Sequence, residues 1–374
     1  MRTLDKYGAL ALLGGALLLG SVSGGAARAD EPAPDKPAGV QAVVRVNGYT
    51  DNDHNEIITP LTAVSGQLGD EGQVTLGASV TYDIMTCASV DVVSAATPHG
   101  YFSEIRQEYQ ANTAVKLGLW TISGGGTYSK ENDYSSISGS LGISTELFQR
   151  NTTLSLGYGF TGSSVGRAND PGFDRSLDSH TISATVTQVL SKSLVGQLTY
   201  FVGVFDGFQS SPYRLARVAT GVAMPENVPN HRLRQSVVAR INAALAAEHF
   251  LSLAYRLYGD DWGLLSHTAE LGWTYEISRA VSFNLRDRVY LQGSTDFYSY
   301  IYDQPRTYMT NDRELGAFLG NTVGAKLSWA PDIGRTTKLA LDLKFDFTYQ
   351  RFDDFAALPT RLLYMGEIGA TLDF

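Results

Sequence analysis

From Leu339 to Gln350 the chain reads LALDLKFDFTYQ, and its positions alternate without exception. Leu339, Leu341, Leu343, Phe345, Phe347 and Tyr349 share one parity; Ala340, Asp342, Lys344, Asp346, Thr348 and Gln350 share the other. A period of two is a strand with one apolar and one polar face. Soluble strands usually run about five or six residues, whereas a tilted strand crossing hydrocarbon needs roughly nine to eleven, so the length points to lipid. The last segment, RLLYMGEIGATLDF, repeats the pattern, with Leu362, Tyr364, Gly366, Ile368, Ala370, Leu372 and Phe374 on its apolar side. Comparable segments occur at 41–50, 57–68, 74–85, 107–117, 121–130, 134–147, 152–161, 180–190, 194–205, 233–245, 250–258, 265–275, 281–292 and 315–329. The total is about sixteen, an even number as bacterial barrels require.

The connections alternate between short ones, such as FQRN at Phe148 and SRA at Ser278, and long ones, such as 206–232 and 293–314. This pattern predicts an all-β, transmembrane, antiparallel up-and-down barrel with short periplasmic turns and long extracellular loops. Trp120, Phe148, Trp273, Tyr275, Trp329 and Phe374 all fall at the short-turn ends, where an aromatic girdle marks a membrane interface. A secreted sandwich or solenoid would use shorter strands. Asp287 resists the pattern, because it shares the parity of Val281, Phe283 and Leu285. A bulge near Arg286, or a position above the hydrocarbon, would remove that conflict.

The first thirty residues carry Arg2 and Lys6, an apolar run from Ala9 to Leu19, and Ala27-Arg28-Ala29. They predict a signal peptide over 1–29, cleaved before Asp30. A proline-rich periplasmic tether follows over 30–39, and the barrel occupies 40–374. Removing Arg2, Lys6, Arg28 and Asp5 takes the formal net charge from -9 to -11, which disfavours nucleic acid. Beyond the leader no stretch suits a membrane helix, and the mean hydropathy is -0.09. Cys87 is the single cysteine, so no intramolecular disulfide can form. A small apolar filler is the ordinary reading of such a residue, a reactive thiol the alternative.

The terminal EIGATLDF resembles the C-terminal signal of outer-membrane barrels, with Glu367, Gly369, Leu372 and Phe374 at the matching positions. That resemblance implies a partner, the barrel assembly machinery, acting during biogenesis. The segments ASVDVVSAATP (88–98), SSPYR (210–214) and YGDDWGLLSHT (258–268) resemble a family of Gram-negative outer-membrane proteins, domain-of-unknown-function family 3570. The resemblance spans nearly all of the mature chain and implies a porin-like fold without assigned chemistry. Members tend to be encoded near a flavin-attaching enzyme, a small lipoprotein and thioredoxin-like proteins, which implies a link to periplasmic redox maturation.

Strand parity sends Arg234, Arg240, Arg256, Arg286, Arg288, Glu270, Asp342, Lys344, Asp346 and Glu367 inward. The arginines cluster between Leu233 and Gln292 and the acids Asp342, Asp346 and Glu367 on the final two strands, so opposite walls of opposite charge are expected. Glu270 and Arg286 stand near cross-strand register. The apolar loop with Val90, Asp91, Val92 and Val93 either folds inward as a constriction or extends its flanking strand. Asp260 and Asp261 read as a solvated turn, with a lipopolysaccharide-bound divalent ion as the alternative.

His54, His99, His180, His231 and His267 scatter near the outer rim without ligand spacing, so no metal or cofactor is expected. GYGFTG (157–162) has dinucleotide glycine spacing but lies within a strand, and no HExxH, GxSxG or CxxC occurs. A catalytic role is therefore not expected. DSHT at Asp178 and LSHT at Leu265 are a faint internal echo, read as reuse of a hairpin unit. The sequence predicts an outer-membrane channel for small polar solutes, in contact with lipid and lipopolysaccharide. The alternative is a docking barrel with an occluded lumen that holds a small lipoprotein or redox partner.

Overall fold

The computed structural model describes residues 39–69, 72–87, 102–168, 170–334 and 336–374. The leader, the tether up to residue 38, His99 and the apolar loop with Val90 to Val93 lie outside the described residues. In chain order the strands are β1 (Val40–Asp51), β2 (Asn55–Leu68), β3 (Val74–Cys87), β4 (Phe102–Leu117), β5 (Trp120–Lys130) and β6 (Tyr134–Leu147). They continue as β7 (Thr152–Val165), β8 (Arg175–Ser191), β9 (Leu194–Gly207), β10 (Leu215–Arg217), β11 (Ala223–Pro225) and β12 (His231–Ala246). The last six are β13 (His249–Asp260), β14 (Leu265–Glu276), β15 (Val281–Gln292), β16 (Phe318–Trp329), β17 (Lys338–Phe352) and β18 (Thr360–Asp373).

All except β10 and β11 join one closed barrel in which sequence neighbours pair and β1 meets β18. Closure gives every strand two partners, so no backbone edge faces lipid. The β10–β11 hairpin belongs to the long loop between β9 and β12. Among the described residues the register shifts only at Val189/Ser191 and Ala244/Ala246, both at short-turn ends, while β2 and β3 skip the pairs of Thr59 and Pro60 without a shift. Register is therefore pinned along the spans, where a one-residue slip would exchange the two faces.

The outward face is apolar and exposed, with Leu141 and Ile368 each 67% accessible. Outward aromatics divide by height. Trp120, Trp273, Tyr275, Trp329, Phe148 and Phe374 ring the short-turn end. Tyr82, Tyr128, Tyr349 and Tyr364 occupy the halves nearer the long loops, and Tyr109, Tyr158, Tyr200 and Tyr255 stand at mid-strand. From Trp120 to Tyr128 the strand climbs about 26 Å at roughly 3.3 Å per residue. Tilted by roughly 40°, that is about 20 Å, comparable with the apolar band of a membrane barrel. Each girdle puts amphipathic rings where apolar surface gives way to polar surface.

One expectation is corrected on this face. The register of β15 is unbroken from Val281 to Gln292, so no bulge turns Asp287 inward. Its carboxylate stays outside, level with Leu271 and Val323, and accepts a 2.7 Å bond from Asn321 Nδ2. A neighbouring outward amide offsets part of the cost of that carboxylate without reversing the strand.

Candidate functional site: lumen and mouth

Along β12 to β15 the inward charges descend the barrel in register rows. Val238, Arg256, Thr268 and Tyr290 form one row; Arg240, Ala254, Glu270 and Arg288 form the next towards the short-turn end; Asn242, Ser252, Gly272 and Arg286 form the third. Successive rows lie two residues, or about 6.6 Å, apart along the strands. The third row continues through Gly324 to Asp346 on β17. Arg286 Nη2 reaches Asp346 Oδ1 at 2.8 Å, while Nη1 stands 3.9 Å from Glu270. The pair needs a residue without a side chain between them: a Cβ on Gly324 would lie 1.9 Å from Asp346 Oδ1.

That geometry corrects the opposite-wall expectation. A meander keeps strands in chain order, so only β16 separates the arginines of β15 from the acids of β17. The charges share one arc and neutralise one another locally, with Lys326–Asp342 and Lys344–Asp346 pairs both at 3.0 Å. The Glu270–Arg286 contact is real but long, and Glu270 is in register with Arg288 instead. Glu367 faces inward, in register with Asn47 and Lys344. Gly369 lies beside Arg45 and Asp342, whereas Leu372 and Phe374 have the outward parity of Ile368.

The facing arc, β5 to β9, carries no such charges in its middle. Its inward positions are small: Ser123, Gly125 and Thr127 on β5; Ser138, Ser140 and Gly142 on β6; Gly157, Gly159 and Thr161 on β7. Its hydroxyls pair across strands, as in Ser138–Thr161 at 2.9 Å and Thr185–Thr199 at 3.0 Å.

The outer mouth is covered by the loops 208–230 and 293–317, joined by isolated bridges Val218–Tyr302 and Asn227–Met309. Ala216, Tyr302 and Met309 form their small buried core. Arg214 holds them together, reaching Glu226 at 2.9 Å and Asp312 at 2.8 Å. A short 3-10 turn, Arg313–Leu315, docks this cap on the inner wall. Gln292 Nε2 donates to the carbonyls of Glu314 (2.7 Å) and Gly316 (2.8 Å), and Arg361 pairs with Glu314 at 2.8 Å. Arg313 is fully buried over the Phe352 ring and pairs with Asp53 of the β1–β2 turn.

Burial pushes Asp312 up to about 6, with Arg214 opposing and the nearby Glu314 and Glu226 adding to the rise. Burial acts the same way on Glu314, but Arg361, Arg313 and Arg214 outweigh it and hold that carboxyl below its usual range. Between cap and wall lies a cavity of about 250 Å³ lined by Arg232, Arg234 and Arg256 on the wall and Glu226, Asp312 and Glu314 on the cap.

The family described as "Protein of unknown function (DUF3570)" matches residues 17–176 and 167–353. The chain belongs to that family. No functionally curated protein matches it in sequence. Among solved structures the chain is similar to a "Bacterial polysaccharide outer membrane secretin", with a TM-score of 0.52, 9% identity, 89% of this chain and 98% of that one. It is also similar to CdiB from Acinetobacter baumannii, with a TM-score of 0.52, 8% identity, 90% of this chain and 60% of that one. OccK3 (OpdO) of Pseudomonas aeruginosa aligns with a TM-score of 0.47 and 10% identity, over 90% of this chain and 95% of that one. At such identities the likeness is one of fold.

Two of the three segments that carry the family resemblance brace this mouth. In SSPYR, Ser211 Oγ accepts the amides of Tyr213 (3.3 Å) and Arg214 (3.2 Å), which aims Arg214 at its two carboxylates. The Tyr213 hydroxyl donates to Asp133. In DDWG, Asp260 is buried and Gly263 has the φ of +83° that the reversal requires. Asp260 Oδ1 accepts the amides of Trp262 (3.1 Å) and Leu264 (3.0 Å), and Oδ2 pairs with Arg232 at 2.5 Å. Asp260 is thus neither a solvated turn residue nor open to an ion; its lone pairs are occupied. Trp262 Nε1 donates to the His231 carbonyl at 2.8 Å, with the Arg232 guanidinium 4.0 Å from the Trp262 ring centroid.

The histidines stay apart. His180 Nδ1 meets the Tyr158 hydroxyl at 2.8 Å and His267 Nδ1 meets that of Tyr255 at 2.6 Å. The two echoed SHT segments therefore make one outward contact twice. His231 pairs with Asp206 at 2.6 Å. Sequence reading passed over His249, which stacks on Tyr275 at 4.7 Å within the lower girdle. Among the described residues, the one carboxylate grouping with close ligand spacing is Glu104, Glu131 and Asp133, whose oxygens lie within 4.8 Å of one another.

Proposed function

We propose that this protein is an outer-membrane, porin-like channel for small polar solutes. The observation that carries the reading is the state of the bore below the cap. Met365, an inward residue of β18, keeps 42% of its surface accessible, and Arg286 and Lys344 keep 28% and 32% of their side chains so. Side chains that filled the bore would have buried these groups. An apolar outer band with two aromatic girdles suits a bilayer, and the leader suits export before insertion by the barrel assembly machinery. Outer-membrane lipid and lipopolysaccharide are then the surroundings of the girdles. Planar-bilayer recording tests the reading: stepwise ohmic currents are expected, and silence from heat-modifiable, inserted protein refutes it.

The buried cap favours a second reading, a docking barrel whose mouth is closed and whose partner is a small lipoprotein or redox protein. A stoichiometric partner co-purifying from outer membranes, together with electrical silence, would support it in place of the channel.

A further inference from the structure

We infer that the arginine staircase on β12 to β15 is an anion track, with an oxyanion site at Arg256 and Arg288. The inference rests on the channel reading for its physiological meaning, but the site itself is a property of the wall. Long inward cations normally find carboxylates, and most here do: Arg232 has Asp260, Arg286 has Asp346, Lys326 has Asp342 and Arg106 has Asp83. Arg240, Arg256 and Arg288 are different. None of the three makes an ion pair within 4.0 Å with any described carboxylate, although Glu270 is the cross-strand register partner of Arg288.

Three features turn these surplus cations into a site. Arg256 lines the cavity under the cap, below Arg232 and Arg234, so a solute that enters the cavity reaches it on the way down the wall. One row lower stand Arg240 and Arg288, separated by two strands at Ala254 and Glu270, so an ion leaving Arg256 finds the next cation about 6.6 Å further along the strands. Third, Arg256 is held over the Tyr258 ring, its guanidinium carbon 5.3 Å from the centroid, which orients a planar donor fork for bidentate contact with a carboxylate or phosphate. Across the bore, the Ser, Thr and Gly arc supplies no competing charge, and its hydroxyls pair with one another. Low-dielectric walls focus such a field and raise the local counter-ion concentration by roughly tenfold or more. The ligand class is a small oxyanion, whether an organic carboxylate or inorganic phosphate.

The test compares wild type with the Arg256→Gln, Arg288→Gln double variant, both verified as folded by their heat-modifiable migration. Reversal potentials in a potassium chloride gradient should show anion preference in wild type, reduced by on the order of tenfold towards unity in the variant while conductance persists. Broadening of the phosphorus resonance of inorganic phosphate by detergent-solubilised protein gives a second readout that needs no conduction. It should appear with wild type and be lost in the variant, and added succinate should relieve it if carboxylates share the site. Cation preference in wild type, or broadening equal in both proteins, overturns the inference. Electrical silence with phosphate binding that depends on the two arginines would overturn the channel and leave the anion site standing.

Discussion

From β5 to β8 the middle of the bore is lined with serine, threonine and glycine, whereas from β12 to β18 it carries arginine, lysine and carboxylates. The two arcs solve the problem of an inward polar face differently. Short hydroxyls reach the adjacent strand and satisfy one another there. Long charged side chains reach beyond their neighbours, so they require partners of matching sign and recruit them from loops as well as strands. That is why the cap docks where it does: its anchors Gln292 and Arg361 belong to the charged arc, and the Arg232–Asp260 pair braces the adjoining DDWG turn.

The largest effect should follow from removing a cap anchor. In Arg313→Ala the Asp53 carboxylate loses its buried partner, and breaking one side of such a pair costs roughly 3–5 kcal/mol. Limited trypsin digestion of the folded protein should then nick the loop 293–317 while the barrel keeps its heat-modifiable migration. An intact loop would show that the cap is held by its core alone.

Next comes the glycine that lets the charged arc neutralise itself. Gly324→Ala places a methyl where Asp346 Oδ1 now lies, forcing the buried carboxylate off Arg286. Expected is a loss on the order of 1–3 kcal/mol in urea unfolding within vesicles. Gly126, on the outward face of β5 with Ile122 and Tyr128, provides the contrast. A Cβ at Gly126 approaches nothing closer than a backbone oxygen at 3.7 Å, so Gly126→Ala should be nearly neutral.

The pH response belongs to the cap. Asp312 has its folded pKa raised to about 6, so the folded cap takes up a proton before the unfolded loop does, and this group stabilises the cap as pH falls through 6 and ceases to do so as pH rises through it. Glu314, whose folded pKa is lowered, contributes above its ordinary range and loses that contribution only in stronger acid. Resistance of the cap to proteolysis should therefore be greater at pH 5.5 than at pH 8. Asp312→Asn should flatten the difference, since an amide can still cap the turn that begins at Arg313. A flat response in wild type would mean that Arg214 holds Asp312 ionised throughout.

All sixteen barrel strands were legible, because each must alternate over a length set by the membrane, and alternation is a local property of the sequence. The inward parity of Arg256 or Asp346 followed for the same reason. Partners did not. Which acid meets Arg286 depends on Gly324, a residue with no side chain to draw attention. The cap was illegible for a deeper reason: Arg313–Asp53 and Tyr213–Asp133 join residues far apart in the chain through irregular loops, where no period exists to be read. Asp287 shows the converse, a rule of parity that held although its cost argued against it.

The smallest expected effect tests whether the hydroxyl arc is only a neutral lining. Ser138 and Thr161 share one hydrogen bond, and each faces a water-accessible bore, so Ser138→Ala leaves Thr161 free to bond water and should change stability by no more than about 0.5 kcal/mol. Ion preference should stay as in wild type, because a hydroxyl contributes a dipole and no net charge. Ser138→Asp makes the arc take the sign it lacks, opposite cations that have surplus positive charge, and should lower anion preference without moving any arginine. If Ser138→Ala alone altered selectivity, the hydroxyls would be ligands in their own right, and the division of the bore into a neutral and a charged half would fail.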